Sequence, residues 1–129
     1  MKTKIPFLEN GLKFFANPVD GQKTGHFLDQ RGNRLLVKNY SQDRIVLDAF
    51  CHSGGFSTYA LSGGAKHVTS VDISQNAIDQ CIEHVSKNNL GQNHEAVVAD
   101  CLSYLRKIPK NKFDLIVLDP PAFAKSAAS

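Results

Sequence analysis

Four short apolar runs in this chain are each followed by an aspartate: Ile45 to Leu47 before Asp48, Val68 to Val71 before Asp72, Ala96 to Ala99 before Asp100, and Leu115 to Leu118 before Asp119. Short, β-branched-rich runs separated by helix-forming stretches read as buried parallel strands. Ligands of such sheets bind in the crevice at the strands' carboxyl ends. The pattern therefore predicts four carboxyl groups around one crevice. Such a rim repels a pyrophosphate and suits hydroxyls, amines or positive charge.

The stretches between the runs supply helices. Residues from about Phe56 to Leu61 follow a glycine turn, and Ser74 caps a longer helix whose Ala77, Ile78, Cys81, Ile82 and Val85 recur at helical spacing, with Gly91 just beyond its end. Asp100 is placed to cap a short helix through Leu102, Leu105 and Ile108, which Pro109 terminates. Strands over 67–72, 95–99 and 113–118 complete the alternation, and right-handed crossovers give a three-layer α/β sandwich. Ahead of it, Asn10-Gly11 between two apolar stretches predicts a hairpin. A helix capped by Asp29 or Thr24 then runs to about Lys38, with Leu28, Leu35 and Leu36 on its apolar face and Gly32 against it.

A chain of 129 residues with 42% hydrophobic residues can bury one ordinary core. No apolar stretch approaches the length needed to cross a bilayer and no signal-like segment follows Met1, so the expected setting is cytoplasmic, without a membrane partner. Cys51, Cys81 and Cys101 are odd in number and widely spaced, which fits reduced thiols better than disulfides or a zinc site. The five histidines show no paired ligand spacing, and no metal is expected. The formal charge is +3, and residues 1–44 carry eight basic groups against four acidic ones. That suits an enzyme acting on nucleic acid, and ordinary solvated lysines equally.

Candidate chemistry clusters after the strands. In Asp48-Ala49-Phe50-Cys51-His52-Ser53-Gly54-Gly55-Phe56, the turn joins the first strand to a helix, where a cofactor approaches the backbone and glycine removes a colliding Cβ. Asp48 and Phe50 stand where the dinucleotide motif wants glycine, which argues against a nicotinamide enzyme. Asp72 ends the second strand, where the acid that grips ribose hydroxyls belongs. Asp100 is placed either to accept from an adenine amino group or to cap the next helix. Asp119-Pro120-Pro121-Ala122-Phe123 forms a stiff corner without amide donors at either proline. Its acidic side chain, exposed carbonyls and aromatic ring suit a planar base bearing an exocyclic amine.

Taken together, the segments Gly21-Gln22-Lys23-Thr24-Gly25-His26-Phe27-Leu28-Asp29-Gln30-Arg31, Leu47 to Ser57, Ser70-Val71-Asp72 and Leu118 to Lys125 resemble, in order and across nearly the whole chain, the bacterial large-subunit rRNA cytosine-5 methyltransferases. The resemblance implies a Rossmann-like methyltransferase sandwich with S-adenosylmethionine as cofactor. Residues 1–40 form a hairpin and helix packing over the cofactor site, and residues 41–129 form the cofactor-binding core. It implies cofactor contacts from Thr24, Phe27, Arg31, Asp48, Phe50, Ser53, Gly54, Gly55, Phe56, Asp72, Ile73, Asp100, Cys101 and Asp119. Asp119, Pro120 and Phe123 face the target base. His52 and Ser53 stand where many relatives carry tyrosine and threonine.

The resemblance also implies parts this chain lacks: an RNA-binding domain before the hairpin, and three further strands with the pyrimidine-attacking cysteine after Asp-Pro-Pro. The expectation is an N-terminal fragment of a methyltransferase acting on RNA, inactive alone, with Cys51 and Cys101 in the cofactor half and not nucleophiles. Methylation of an exocyclic amine is an alternative. So is a noncatalytic assembly module that pairs, for example as a homodimer, through the unpaired edge of the fourth strand.

Overall fold

The computed structural model describes residues 5–16 and 31–120. Strands β1 (Ile5–Glu9) and β2 (Leu12–Ala16) form the expected hairpin. Asn10 and Gly11 turn it with φ of 51° and 83°, the two left-handed residues a two-residue hairpin loop needs.

Helix α1 (Arg31–Tyr40) leads into β3 (Ile45–Ala49), α2 (Gly55–Ser62), β4 (His67–Asp72), α3 (Gln75–Lys87), β5 (His94–Val98), α4 (Cys101–Lys107) and β6 (Leu115–Leu118). The four later strands make one parallel sheet in the order β5-β4-β3-β6. Val46, Val68, Ala96, Leu115 and Val117 point to one face and meet Ala60, Leu61, Ile78, Cys81 and Val85 of α2 and α3. Leu47, Val71 and Val97 point to the other and meet Cys101, Tyr104, Leu105 and Ile108. This is the three-layer α/β sandwich the alternation predicts. Because β6 lies beside β3, on the side away from β4, the strand order reverses at β3 and opens a crevice there.

Several sequence expectations need correction. Helix α1, described from Arg31 onward, turns Leu36 out, 53% exposed, while Arg34 is the residue it buries; the cap expected at Thr24 or Asp29 lies outside the described residues. On α3, Ile82 faces solvent and His84 takes the buried position beside Val85. The left-handed residue after α3 is Asn89 (φ 58°), and Gly91 opens a short 3-10 turn. Each strand β5 and β6 is shorter than, or shifted from, its expected span by one or two residues.

The buried Arg34 is explained by the hairpin. Its guanidinium meets the Glu9 carboxylate through Nε and Nη2 at 2.8 to 3.0 Å, and Tyr59 Oη of α2 donates to Glu9 Oε1 at 2.5 Å. Asn10 Nδ2 donates to the same Tyr59 oxygen at 3.0 Å. Phe14 stacks between Phe7 and Tyr59. One buried charge pair, with its hydrogen bonds filled, thus ties β1, α1 and α2 together. Asn88 adds a second tie, accepting from Lys13 N and donating to Lys13 O.

Candidate cofactor-binding site

The segment from Phe50 to Gly54 is folded against residue preference. Phe50 (φ 59°), His52 (φ 53°) and Gly54 (φ 87°) are all left-handed, two of them without the freedom of glycine. Such alternation costs free energy and persists only where surrounding contacts fix it. Those contacts are present. Phe50 N donates to Cys101 Sγ at 3.2 Å, Cys51 N to Val71 O at 3.0 Å, and His52 N to Asp72 Oδ2 at 3.0 Å. The result is a tight turn whose backbone faces the crevice between β3 and β6.

Gly54 also serves the packing of the fold. A Cβ there would lie 2.5 Å from Cys81 Sγ, so the missing side chain lets α3 approach the turn. It caps α2 and sits beside Gly55, also buried. Phe56 and Ser53 are half-buried at the turn, and Ser53 O accepts from His84 Nδ1 at 2.7 Å. His84 Nε2 in turn accepts from Phe15 N at 3.3 Å. Those partners fix the neutral Nδ1–H tautomer, and burial lowers the pKa of the ring. His84 therefore joins the hairpin to the glycine turn.

The four strand-end aspartates do not share one rim. Asp48 is wholly buried under α2, where Ser57 Oγ donates to its Oδ2 at 2.7 Å. Its other oxygen, Oδ1, is the buried side-chain polar atom left without a partner among the described residues. Burial pushes its pKa up to about 8 against the opposing Ser57 bond. Asp72, nearly buried, accepts from His52 N and, through Oδ1, from Ser74 N at 3.0 Å, so it holds the turn as well as facing it. Asp100 is exposed and caps α4, accepting from Ser103 N and Oγ. Of the two readings open for Asp100, the cap is the one the geometry displays.

Asp119 and Pro120 are half-buried at the far lip. His52 Nε2 lies 2.9 Å from Asp119 O and 3.7 Å from its carboxylate, bridging the first turn to the fourth strand. One of the corner's expected free carbonyls is therefore taken. Cys101 is buried beneath Phe50, its thiol pKa raised by burial, and Ile73 is 69% exposed beyond Asp72. Thr24, Phe27 and Phe123 lie outside the described residues, as does the side chain of Arg31.

Residues that the sequence reading passed over carry much of the site. Ser57, Ser70 and His94 stand on the same side of the sheet as Asp48 and form a hydrogen-bonded chain with it. A polar serine inside the apolar run Val68 to Val71 was the available signal for Ser70. His52 was visible only as a departure from a pattern.

A parallel sheet that reverses order beside a strained glycine turn, flanked by Asp72 and Asp119, is the architecture of an α/β cofactor-binding fold. Residues 3–129 match the family model for S-adenosylmethionine-dependent methyltransferases, and the chain belongs to that family. S-adenosylmethionine is the family's cofactor.

A ribosomal RNA large subunit methyltransferase I from Pseudoalteromonas translucida is 45% identical over 93% of this chain and 31% of its own length. A ribosomal RNA large subunit methyltransferase from Deinococcus radiodurans is 45% identical over 96% of this chain and 31% of its own. The chain spans about a third of the length of these relatives. Among solved structures, a Streptococcus mutans protein provisionally designated a SAM-dependent methyltransferase superposes with a TM-score of 0.81 at 35% identity, covering 94% of this chain and 33% of that one.

The residues present fit the cofactor. An unpartnered buried carboxyl oxygen on Asp48 is suited to a cationic group near the turn, and a second carboxylate, Asp72, borders the same turn.

Proposed function

We propose that this chain forms the cofactor-binding half of an RNA methyltransferase that modifies C5 of a cytosine in large-subunit ribosomal RNA, in the cytoplasm. The observation that carries the reading is the strained turn from Phe50 to Gly54 held between Asp72 and the Asp119 corner. When bound, S-adenosylmethionine supplies an electrophilic methyl group on its sulfonium.

In this reading the chain's own residues bind and orient. Asp72 accepts from ribose hydroxyls with the lone pairs its two backbone donors leave open. Phe50, Ser53, Gly55 and Phe56 line the methionine end, with Ile73 and Cys101 towards the adenine. Thr24, Phe27 and Arg31 close over it. Asp119, Pro120 and Phe123 hold the flipped base, and His52 fixes the height of that corner through Asp119 O. The attacking cysteine belongs to a part of the protein beyond these residues. RNA is supported as the substrate class by the names of the relatives and by the basic first third of the chain.

The test is to locate the methyl group. The full-length protein, given unmodified large-subunit RNA and isotopically labelled cofactor, is expected to yield 5-methylcytidine on complete digestion and mass spectrometry. Label on a ribose 2′-oxygen or an exocyclic amine would overturn the carbon assignment. Assembly through β6 is a second reading, favoured by Ile116 and Leu118, which are 47% and 57% exposed on the α4 face of that edge strand.

A further inference from the structure

A line of polar groups runs through the sheet where an apolar layer would ordinarily be continuous. Each member comes from a different element: Asp48 from β3, Ser57 from α2, Ser70 from β4 and His94 from β5. Ser57 Oγ lies 2.7 Å from Asp48 Oδ2 and 2.6 Å from Ser70 Oγ, and Ser70 Oγ lies 2.7 Å from His94 Nε2. Asp48, Ser57 and Ser70 have no exposed surface, while His94 is half-buried on an outer strand of the described sheet.

Two hydroxyls between the Asp48 Oδ2 atom and an imidazole nitrogen can be oriented concertedly in either direction. With Asp48 ionised, Ser57 donates to it, Ser70 donates to Ser57, and His94 Nε2–H donates to Ser70. With Asp48 protonated, every bond reverses and His94 Nε2 accepts. A proton on Asp48 Oδ2 and a proton on His94 Nε2 are thereby alternatives across the sheet.

We propose that Asp48, Ser57, Ser70 and His94 form a buried relay through which His94, as a positioning residue, sets whether Asp48 is charged, and so how tightly the glycine turn holds the ammonium group of S-adenosylmethionine. This rests on the cofactor reading above. Protonated His94 favours the Asp48 anion, and the anion, whose Oδ1 lacks a protein partner, favours a cation at the turn. The other ionisable groups around Asp48 are Cys81 on α3, Asp119 beyond β6 and the Cys51 thiol in the turn. Around His94, Cys81 Sγ lies 3.8 Å from Nε2. The Asp119 carboxylate, and Cys81 when ionised, oppose an anion at Asp48, whereas a protonated His94 favours it through the hydroxyl chain.

The experiment has two arms, both on the intact protein. In the first, the Asp48 carboxyl is followed by carbon-13 NMR across pH without any ligand. Wild type is expected to give a coupled, two-step curve. His94→Gln keeps a donor but no titrating charge. It should leave one step, displaced upward by about one pH unit, as should Ser70→Ala, and the two changes should not add. In the second arm, calorimetry with S-adenosylmethionine should show His94→Gln about tenfold weaker than wild type at neutral pH, where the cofactor's ammonium group is still charged. Superimposable Asp48 titrations in wild type and His94→Gln overturn the relay. A displaced titration with an unmoved affinity profile overturns its link to the cofactor. If wild type binds no cofactor at all, the cofactor reading fails, and the first arm still decides the relay.

Discussion

The hairpin seat and the glycine turn are both built from buried polar groups, yet they are finished differently. At the seat, Glu9, Arg34 and Tyr59 meet one another with good geometry and the carboxylate is fully served. At the turn, three successive alternate residues are left-handed and Asp48 keeps an oxygen without a partner. A satisfied network specifies a structure. An incomplete one stores free energy that a ligand can release. The two regions are only one histidine apart, since His84 touches Phe15 N on one side and Ser53 O on the other.

Three changes probe this contrast, beginning with the largest. Asp72→Ala removes the acceptor for His52 N and Ser74 N together with the ribose acceptor of the cofactor reading. Two charge-assisted hydrogen bonds correspond to roughly 3 to 6 kcal/mol, so calorimetry on the full-length protein should find no measurable S-adenosylmethionine binding. Unchanged affinity would remove Asp72 from the site. Arg34→Met strands the Glu9 carboxylate in the interior and should destabilise folding by about 3 to 5 kcal/mol in denaturant titration. A loss below about 1 kcal/mol would mean that apolar packing, not the ion pair, seats the hairpin.

The smallest effect is on pH. His84 has a lowered folded-state pKa, so the unfolded chain binds its proton more readily. Its contribution is fully present above the ordinary histidine range near 6.5 and is lost progressively as pH falls below it. Replacing His84 with Gln should flatten that acid limb by on the order of 1 kcal/mol in equilibrium unfolding. An unaltered limb would assign the dependence to another group.

Much of the sheet was legible because parallel strands buried on both faces read as apolar runs, and because Ser74 and Asp100 announce their helices through caps that the structure displays. The helix faces were less legible. Arg34 and His84 are buried by partners 25 and 69 residues away, which no local periodicity encodes, whereas Leu36 and Ile82 fit the apolar spacing and face solvent. The turn from Asp48 to Phe56 was legible in its residues, but a second reason for Gly54 was not. Close approach of Cys81, a tertiary contact, requires it. The relay has no local signature, because its members are spread over Asp48, Ser57, Ser70 and His94 and meet only after the sheet is paired.

The placement of β6 beside β3 also makes that pairing the longest in range within the described sheet. As the chain is synthesised, β3 can pair with β4, and β4 with β5, as each emerges. The other flank of β3 must wait for a strand whose Asp114 meets Ile45 across 69 positions. Closing so long a loop is slow compared with forming the local units. His52 cannot reach Asp119 until that closure is complete. The two lips of the crevice are therefore brought together by the longest-range strand pairing of the described sheet, and acquisition of ligand affinity during refolding is expected to be a late event that reports it.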